Sequence, residues 1–375
     1  MRVLVTGGGT GGHIMPALAI ASSLKEQDPT TEFLFVGATG RMETELVPKA
    51  GFPLKTVTVK GFSRRKSLSG LTHNVSAVYH AITAGFSCKK ILKEFQPDVA
   101  VGTGGYVCGP ILRQAGKMGI PIVLHESNSF PGVTTKMLSK VAHTVCVATK
   151  EAAERIPEGA NIEITGNPVR PEFLSYTKEQ ARNELGIGNK LLIFSVGGSL
   201  GAAKLNEIFS TIIEKTSKAE DLYHIHSAGK LEYEEFCAKM EQKQIPLQGE
   251  HVDIRPFVDD MARVMAAADL VIARSGAMTV TEILASGCPA ILIPSPNVAE
   301  NHQYYNAMSL VNEGAALCIE EKDLTADGLW EEMKTLIEDD EKRFTMHTCA
   351  KKAAILDATD RIVQIIKKAA TQRGE

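Results

Sequence analysis

The feature that most constrains this chain is a repeated alternation of short apolar runs with longer segments of helical period. Runs such as Leu191-Leu192-Ile193-Phe194 are apolar at every position, which is typical of parallel strands buried on both faces. In the first longer segment, Ile14, Leu18, Ala21 and Leu24 keep one helical face apolar. The alternation predicts an α/β fold with doubly wound parallel sheets. The predicted strands are 2–6, 33–37, 99–103, 121–126, 144–148, 162–166, 191–196, 223–227, 270–274, 290–294 and 316–319.

The pattern begins a second time, which predicts two domains. Between the halves, Gly166-Asn167-Pro168-Val169-Arg170-Pro171 supplies two prolines and a glycine that end a strand. In each half the first strand runs into a glycine-rich turn, at residues 7–12 and 197–201. We therefore expect two facing Rossmann-like domains, residues 1–166 and 167–349, with a cleft between them. A last helix over about 340–370 is long enough to cross back, so residues 350–371 are assigned to the first domain.

Composition excludes several classes of protein. The 375 residues suit two domains, and 41 Lys and Arg against 44 Asp and Glu give a net charge of −3, which argues against nucleic-acid binding through overall positive charge. Seven scattered cysteines without a C-x-x-C pair indicate reduced thiols rather than a disulfide framework or a zinc site. No apolar run approaches the roughly 18 residues that span a bilayer, and no signal-peptide pattern precedes the first strand. Binding to a membrane surface stays open.

The first glycine-rich turn predicts that a phosphate group binds close to it. Gly7-x-Gly9-x-x-Gly12 matches the dinucleotide fingerprint between a strand and a helix, where bare backbone and a helix N-terminus favour anions. A nicotinamide dinucleotide would also need an acidic residue at the end of the second strand. That strand ends Val36-Gly37-Ala38-Thr39, without a carboxylate. His13, directly after the turn, is either a helix cap or a group that transfers a proton to or from a ligand oxygen.

Two further turns of the first domain follow predicted strands. Residues 103–110 and His125-Glu126-Ser127-Asn128 both lie at carboxyl ends of strands, where parallel sheets bind ligands. The adjacent titratable side chains His125 and Glu126 are therefore a second candidate for acid–base chemistry. The alternative is a structural role, with Glu126 capping a helix.

The second domain contains a turn with the same chemistry. Arg274-Ser275-Gly276-Ala277-Met278-Thr279 leads from a strand into a helix, whose first backbone N–H groups would face an anion. One turn further, Glu282 can accept two hydroxyl groups of a sugar, or it can be an ordinary acid of the first helical turns. Ser199 and Arg170 would add a hydroxyl donor and a cation. No D-x-D motif, P-loop lysine or metal-ligand cluster accompanies them, so we expect neither a metal nor a cofactor.

Residues 60–68 carry four cations among apolar side chains. They form either a solvated loop or a segment that docks on an anionic membrane surface, where each cation contributes on the order of 1 kcal/mol.

Taken together, these motifs resemble the bacterial UDP-N-acetylglucosamine transferases of peptidoglycan synthesis, in glycosyltransferase family 28. The resemblance extends along the whole chain. The motifs that carry it are Gly9-Thr10-Gly11-Gly12-His13, Gly104-Gly105-Tyr106-x-x-Gly109-Pro110, His125-Glu126-Ser127-Asn128, Gly166-Asn167-Pro168-Val169-Arg170, Arg274-Ser275-Gly276-Ala277-x-Thr279-x-x-Glu282 and His302-Gln303-Tyr304-x-Asn306-Ala307.

The resemblance implies a GT-B fold and an inverting, metal-independent transfer of N-acetylglucosamine from UDP-N-acetylglucosamine. The acceptor would be the muramyl 4-hydroxyl of a pentapeptide carried on undecaprenyl diphosphate, at the cytoplasmic face of the cell membrane. Either His13 or the His125/Glu126 pair would be the base. The substrate-binding residues implied are Thr10, Gly11, Gly12, Asn128, Arg170, Ser199, Ile254, Ala277, Met278, Thr279, Glu282 and Gln303. Another GT-B glycosyltransferase, a UDP-N-acetylglucosamine epimerase and a non-catalytic nucleotide-sugar sensor are the alternatives.

Overall fold

A computed structural model describes residues 1–59 and 84–372 of the chain, which divide into two compact units. Unit 1 comprises Met1–Pro168 and Ile355–Glu375, and unit 2 comprises Val169–Ala354. The predicted basic segment at 60–68 lies outside the described residues.

The elements of the described residues alternate between strand and helix along most of the chain. The strands are β1 (Arg2–Thr6), β2 (Glu32–Ala38), β3 (Leu54–Val57), β4 (Val99–Gly102), β5 (Ile122–Glu126), β6 (Thr144–Val147), β7 (Ile162–Ile164), β8 (Leu191–Val196), β9 (Leu222–Ser227), β10 (Val252–Arg255), β11 (Leu270–Ala273), β12 (Ala290–Leu292) and β13 (Ala316–Cys318). The helices are α1 (Gly11–Gln27), α2 (Glu43–Lys49), α3 (Cys108–Lys117), α4 (Val133–Leu138), α5 (Lys150–Ala153), α6 (Glu172–Ser175), α7 (Lys178–Leu185), α8 (Ala203–Thr216), α9 (Tyr233–Gln242), α10 (Met261–Ala267), α11 (Ala277–Ser286), α12 (His302–Asn312), α13 (Ala326–Ile337), α14 (Asp340–Ala353) and α15 (Ala358–Thr371). Residues 84–95 are also helical.

The described part of unit 1 is built on a parallel sheet with the strand order β3-β2-β1-β4-β5-β6-β7. Alternate residues of β1 face opposite sides of this sheet. Val3 and Val5 pack with α1 and α15 on one side, whereas Leu4 packs with the helical residues 84–95 and with α3 on the other. The strand order reverses between β1 and β4, so their carboxyl ends border the place where such sheets bind ligands.

Unit 2 repeats this plan with a parallel sheet in the order β10-β9-β8-β11-β12-β13. Here the order reverses between β8 and β11. The predicted α/β fold with two Rossmann-like parallel sheets is therefore confirmed.

Three details differ from the sequence-based expectations. The edge strands β3 and β10 were not predicted, because Leu54-Lys55-Thr56-Val57 and Val252-Asp253-Ile254-Arg255 contain polar residues and form no continuous apolar run. The last helix was expected to be continuous, and this is wrong. It ends at Ala353, Ala354 is extended, and a new helix begins at Ala358. The break separates two apolar faces, since Ala350 lies in the core of unit 2 and Ile362 in the core of unit 1.

Candidate functional site

The ligand-binding edge of unit 1 is formed by three turns that follow neighbouring strands. Residues 7–12 follow β1, residues 103–107 follow β4, and residues 127–132 follow β5. Thr10 is exposed at the start of α1, and a side chain added at Gly11 would meet no atom within 4 Å. The first N–H groups of α1 have no acceptor four residues earlier within the helix, so this end of α1 suits an anion.

His13, in the first turn of α1, is held by the glycine turn before it. Its Nδ1 lies 3.1 Å from the carbonyl oxygen of Gly8 and 3.3 Å from Oγ1 of Thr10. Because a carbonyl oxygen only accepts, Nδ1 carries the proton in the neutral ring and Nε2 carries the lone pair. This arrangement suits a base whose Nε2 accepts a proton.

Gly104, after β4, is the residue against which the His13 ring lies. It has a φ of +109°, and a Cβ there would come within 2.6 Å of Cδ2 and 2.9 Å of Nε2 of His13. Thr103 Oγ1 donates to the His13 carbonyl oxygen at 2.7 Å. The β4 turn therefore fixes both the backbone and the ring of His13.

The side chains of His125 and Glu126 are buried and fully engaged, unlike that of His13. His125 Nε2 donates to the carbonyl oxygen of Gly166 at 3.3 Å, and its Nδ1 accepts from Ser127 Oγ at 3.4 Å. Desolvation lowers the pKa of His125 to about 4, so the ring is neutral near pH 7. A buried, neutral ring with both nitrogens hydrogen-bonded fits a structural role for His125.

Glu126 organises the turn that contains Asn128. Its Oε1 accepts from the backbone and side-chain nitrogens of Asn128, both at 3.2 Å. Its Oε2 accepts from Gly132 N at 2.9 Å and from Thr135 Oγ1 at 2.6 Å. Four donors on one carboxylate fit the structural alternative for Glu126, with the added consequence that Asn128 is held in place.

Glu43 is a residue of this edge that sequence reasoning missed. It is fully buried at the start of α2, and its carboxylate reaches the glycine turn and the end of β2. The signal available was weak: Glu43 and Val47, four residues apart, share the buried face of a short helix.

The ligand-binding edge of unit 2 brings together two turns that the sequence singled out. Ser199 is exposed in the turn after β8, and residues 274–276 join β11 to α11. Because β8 and β11 are neighbours, Ser199 and the first turn of α11, with Ala277, Met278 and Thr279, lie at the same edge of the sheet. Hydroxyl and backbone N–H donors at such an edge suit a diphosphate.

Arg170 and Glu282, which the sequence assigned to separate contacts, bind each other. The Glu282 Oε1 accepts from Nη2 of Arg170 at 2.8 Å and from Nε at 3.1 Å. The Arg170 guanidinium also lies 4.8 Å from the centre of the Phe173 ring. Burial raises the pKa of Glu282, and the neighbouring Arg170 opposes that rise. The ion pair therefore orients a carboxylate that could accept hydroxyl groups through its other oxygen.

Gln303, near the start of α12, is tied to both neighbouring turns. Its Oε1 accepts from Ser295 N at 2.9 Å, and its carbonyl oxygen accepts from Ser275 Oγ at 2.8 Å. The Oε1 contact orients the amide so that its NH₂ end is the one suited to donate to a ligand. Asn306 Nδ2 donates to Ser275 O at 3.1 Å, which braces the same turn.

Ile254 lies apart from these side chains, on the edge strand β10. The whole residue is 2% exposed, and its side chain belongs to the core of unit 2. Its backbone N–H donates to Leu247 O at 2.7 Å, so this arrangement fits a structural role for Ile254.

Across residues 1–59 and 84–372, no three His, Cys, Asp or Glu side chains are grouped so that they could hold a metal ion. None of the helices in these ranges combines the length and apolar character needed to cross a bilayer.

Comparison with known proteins identifies the family to which both units belong. Residues 3–147 match the glycosyltransferase family 28 N-terminal domain, and residues 192–362 match the glycosyltransferase family 28 C-terminal domain. The chain belongs to glycosyltransferase family 28. The family resemblance inferred from the motifs is thereby confirmed, and the enzyme is a hexosyltransferase.

Members of family 28 resemble this chain from end to end. The UDP-N-acetylglucosamine--N-acetylmuramyl-(pentapeptide) pyrophosphoryl-undecaprenol N-acetylglucosamine transferase of Acetivibrio thermocellus is 42% identical over 98% of both chains. The crystal structure of Acinetobacter baumannii MurG matches with a TM-score of 0.77 and 30% identity, over 98% of this chain and 99% of that one.

The fold is also shared by a UDP-GlcNAc 2-epimerase from Neisseria meningitidis. That structure matches with a TM-score of 0.67 over 98% of this chain and 100% of that one, but with only 14% identity.

Proposed function

We propose that this enzyme transfers N-acetylglucosamine from UDP-N-acetylglucosamine to the muramyl hydroxyl of a pentapeptide linked to undecaprenyl diphosphate. The observation that carries the proposal is the identity of 42% over 98% of both chains to a relative named for this reaction. The two ligand-binding edges, one in each unit, are consistent with a donor and an acceptor that bind to different units.

The donor is assigned to unit 2. Its diphosphate would be bound by Ser199 and by the first N–H groups of α11, and its ribose hydroxyls by Glu282. The NH₂ group of Gln303 would donate to a sugar hydroxyl. The Arg170–Glu282 pair, in which only the Glu282 side chain is largely buried, supports the ribose assignment, because it holds the carboxylate in one orientation.

The acceptor is assigned to unit 1. Its diphosphate would lie at the N-terminus of α1, near Gly11 and Gly12, and His13 would be the general base. The Nε2 of His13 accepts the proton of the muramyl hydroxyl while that oxygen forms a bond to the anomeric carbon. The bond from this carbon to the UDP oxygen breaks, and UDP leaves with the electron pair. A single displacement of this kind inverts the anomeric configuration.

We also infer that the enzyme docks peripherally on the cytoplasmic face of the membrane, where a lipid-linked acceptor resides. The exposed Phe86, with exposed Lys89, Lys90 and Lys93 on the same helical stretch, supports this inference. Apolar and cationic side chains together favour anionic lipid surfaces.

The experiment is an assay of UDP release with and without a lipid-linked muramyl-pentapeptide acceptor. We expect release only with the acceptor, and no loss of activity in EDTA. Epimerisation of UDP-N-acetylglucosamine alone would instead identify an epimerase, and donor binding without turnover on any acceptor would indicate a sensor. Activity that EDTA abolishes and magnesium restores would contradict the metal-independent mechanism.

A further inference from the structure

Glu43 places a carboxylate inside the protein, directly beneath the first glycine turn. Its side chain is fully buried. Oε2 accepts from Gly9 N at 3.0 Å, and Oε1 accepts from Ala38 N at 2.9 Å. The carboxylate thus joins the turn after β1 to the end of β2.

The surrounding glycines make room for this carboxylate. A Cβ on Gly8 would lie 2.2 Å from Oε1 of Glu43, and a Cβ on Gly37 would lie 2.5 Å from its Cγ. Because any side chain at either position would displace Glu43, both glycines are fitted to its presence. The glycine pattern therefore accommodates an internal carboxylate as well as a ligand.

The Gly9 N–H group is occupied, so the turn offers a ligand one backbone donor fewer. An N–H of a glycine-rich turn is the type of donor that binds a phosphate oxygen in dinucleotide sites. Here the Gly9 N–H donates to the protein's own carboxylate. A diphosphate that binds here is therefore left with the free N–H groups at the start of α1, near Gly11 and Gly12.

The same turn holds His13. The Gly8 carbonyl oxygen, which accepts from His13 Nδ1, belongs to the residue whose Cα faces the Glu43 carboxylate. The Gly8 backbone N–H also donates to Gly104 O at 3.2 Å, next to the His13 ring. The position of Gly8 therefore couples Glu43 to the orientation of His13.

We propose that Glu43 is a positioning residue: its carboxylate is a built-in anion that shapes residues 7–12 and holds His13 for proton transfer. The catalytic part of this proposal rests on the proposed function, because it needs His13 as the base. The other part, that the N–H groups of Gly9 and Ala38 form an anion site occupied by Glu43, concerns the turn alone. Glu43 touches no substrate in this scheme.

The test compares Glu43→Ala with Glu43→Gln. The alanine variant leaves a space facing the N–H groups of Gly9 and Ala38, which formate can fill. The glutamine variant fills that space but directs an NH₂ group at one of these donors, so formate has no room to bind. Glu45→Gln, an exposed acid on the same helix, is the matched control.

We expect kcat of both Glu43 variants to fall about 10- to 100-fold, within the contribution of a general base. The KM for UDP-N-acetylglucosamine and the affinity for UDP should stay unchanged, since the donor is assigned to unit 2. Formate, compared with chloride at equal ionic strength, should raise both Tm and kcat of Glu43→Ala only. Glu45→Gln should match the wild type.

Two outcomes would overturn the proposal. In the first, formate leaves the Tm of Glu43→Ala unchanged, which would mean that the turn does not bind an anion there. In the second, kcat and UDP affinity fall together, which would mean that Glu43 merely supports the fold. If the wild type itself showed no transfer, the proposed function would fail, yet formate-dependent stabilisation of Glu43→Ala would still test the internal anion.

Discussion

At the residue scale, the site depends on which polar groups are already bound to other parts of the protein. His125 and Glu126 are hydrogen-bonded to several neighbouring segments of unit 1, whereas the Nδ1 of His13 is bound in a way that leaves the lone pair on Nε2. The same kind of evidence shows that Arg170 is hydrogen-bonded to Glu282. Three predictions concern individual side chains and their direct partners.

The first prediction distinguishes His13 from the other histidines. His13→Gln should lower kcat about 10²–10⁴-fold, because general-base catalysis contributes that much, with little change in the KM for the donor. His143→Gln, at the opposite end of the sheet before β6, is the control and should retain activity. Steady-state kinetics measure both. A His13 variant with unchanged kcat would remove this residue from the mechanism.

The second prediction concerns the pair of Arg170 and Glu282. Each of Arg170→Met and Glu282→Gln should weaken UDP binding about tenfold or more, since hydrogen bonds to charged groups contribute about 1.5–3 kcal/mol. The double variant should lose less UDP-binding free energy than the two single variants lose together, because the pair acts as one unit. Calorimetry measures the affinities, and Lys215→Met, from an exposed pair with Asp327, is the control. Strictly additive losses would mean that the two residues act separately.

The third prediction concerns a buried histidine chain in unit 2. Thr216 Oγ1 donates to Ile213 O and accepts from His224 Nδ1. At the other side of His224, Ser195 Oγ donates to His224 Nε2 and accepts from His226 Nδ1. Among the residues that the structure describes, His226 Nε2 has no hydrogen-bond partner, and its ring packs between Phe209 and Phe236. Desolvation lowers the pKa of His224 to about 3 and that of His226 well below its ordinary value.

Because the folded state holds both rings neutral, the unfolded state binds more protons below about pH 6.5. The free energy of unfolding of unit 2 should therefore fall as the pH decreases from about 6.5, until the folded-state pKa is reached. His226→Phe removes one such group. It should therefore make the decrease in the free energy of unfolding between pH 7 and pH 5 smaller by about 2 kcal/mol. Urea unfolding at the two pH values measures this. The same loss in variant and wild type would show that His226 is not responsible.

At the scale of elements, short loops become well-defined because buried side chains bind their backbone. The segment between β5 and α4 is the clearest case, with Glu126 accepting hydrogen bonds from Asn128, Gly132 and Thr135. The strand positions this carboxylate, and the carboxylate in turn positions Asn128.

The fourth prediction concerns this segment. Glu126→Gln directs an NH₂ group at donors that need an acceptor, which should cost about 1–3 kcal/mol of unfolding free energy. Hydrogen exchange of residues 127–135 should accelerate, while the pH dependence of kcat should keep its shape. Glu163→Gln, on the exposed edge strand β7, is the control. Loss of the acidic limb of the pH profile would instead identify Glu126 as a base.

At the scale of the whole molecule, each unit has its own core, and the chain returns to unit 1 through its last helix. The apolar side chains of α15, among them Ile362 and Ile366, are fully buried with Val3 and Val5 of β1. Unit 1 is therefore completed by residues from both ends of the chain. Its surface includes the exposed Phe86, which follows the basic segment in the sequence.

The fifth prediction concerns membrane docking. Replacing Arg64, Arg65 and Lys66 with serine should weaken binding to anionic vesicles at low salt, because each cation contributes about 1 kcal/mol near such a surface. Turnover of a short-chain, soluble acceptor should stay unchanged. Vesicle sedimentation and the UDP-release assay measure the two effects. Equal losses in both would mean that this segment belongs to the active site or to the fold.

The sequence by itself determined the fold class, because buried parallel strands, helices and glycine turns each leave a local pattern. It also indicated the site, since several of the motifs it singled out lie at the carboxyl ends of neighbouring strands. The edge strands β3 and β10 were missed because charged and polar residues interrupt their apolar runs, and the break after Ala353 was missed because the helical period continues through it.

Only the tertiary structure decided which polar groups are bound to each other. Glu43 meets Gly9 from 34 positions away, and Arg170 meets Glu282 from 112 positions away. Periodicity reports which face of an element is buried, but a hydrogen bond depends on where two distant elements are placed by packing. For that reason the partners of Glu43 and Glu282 could not be derived from neighbouring residues in the chain.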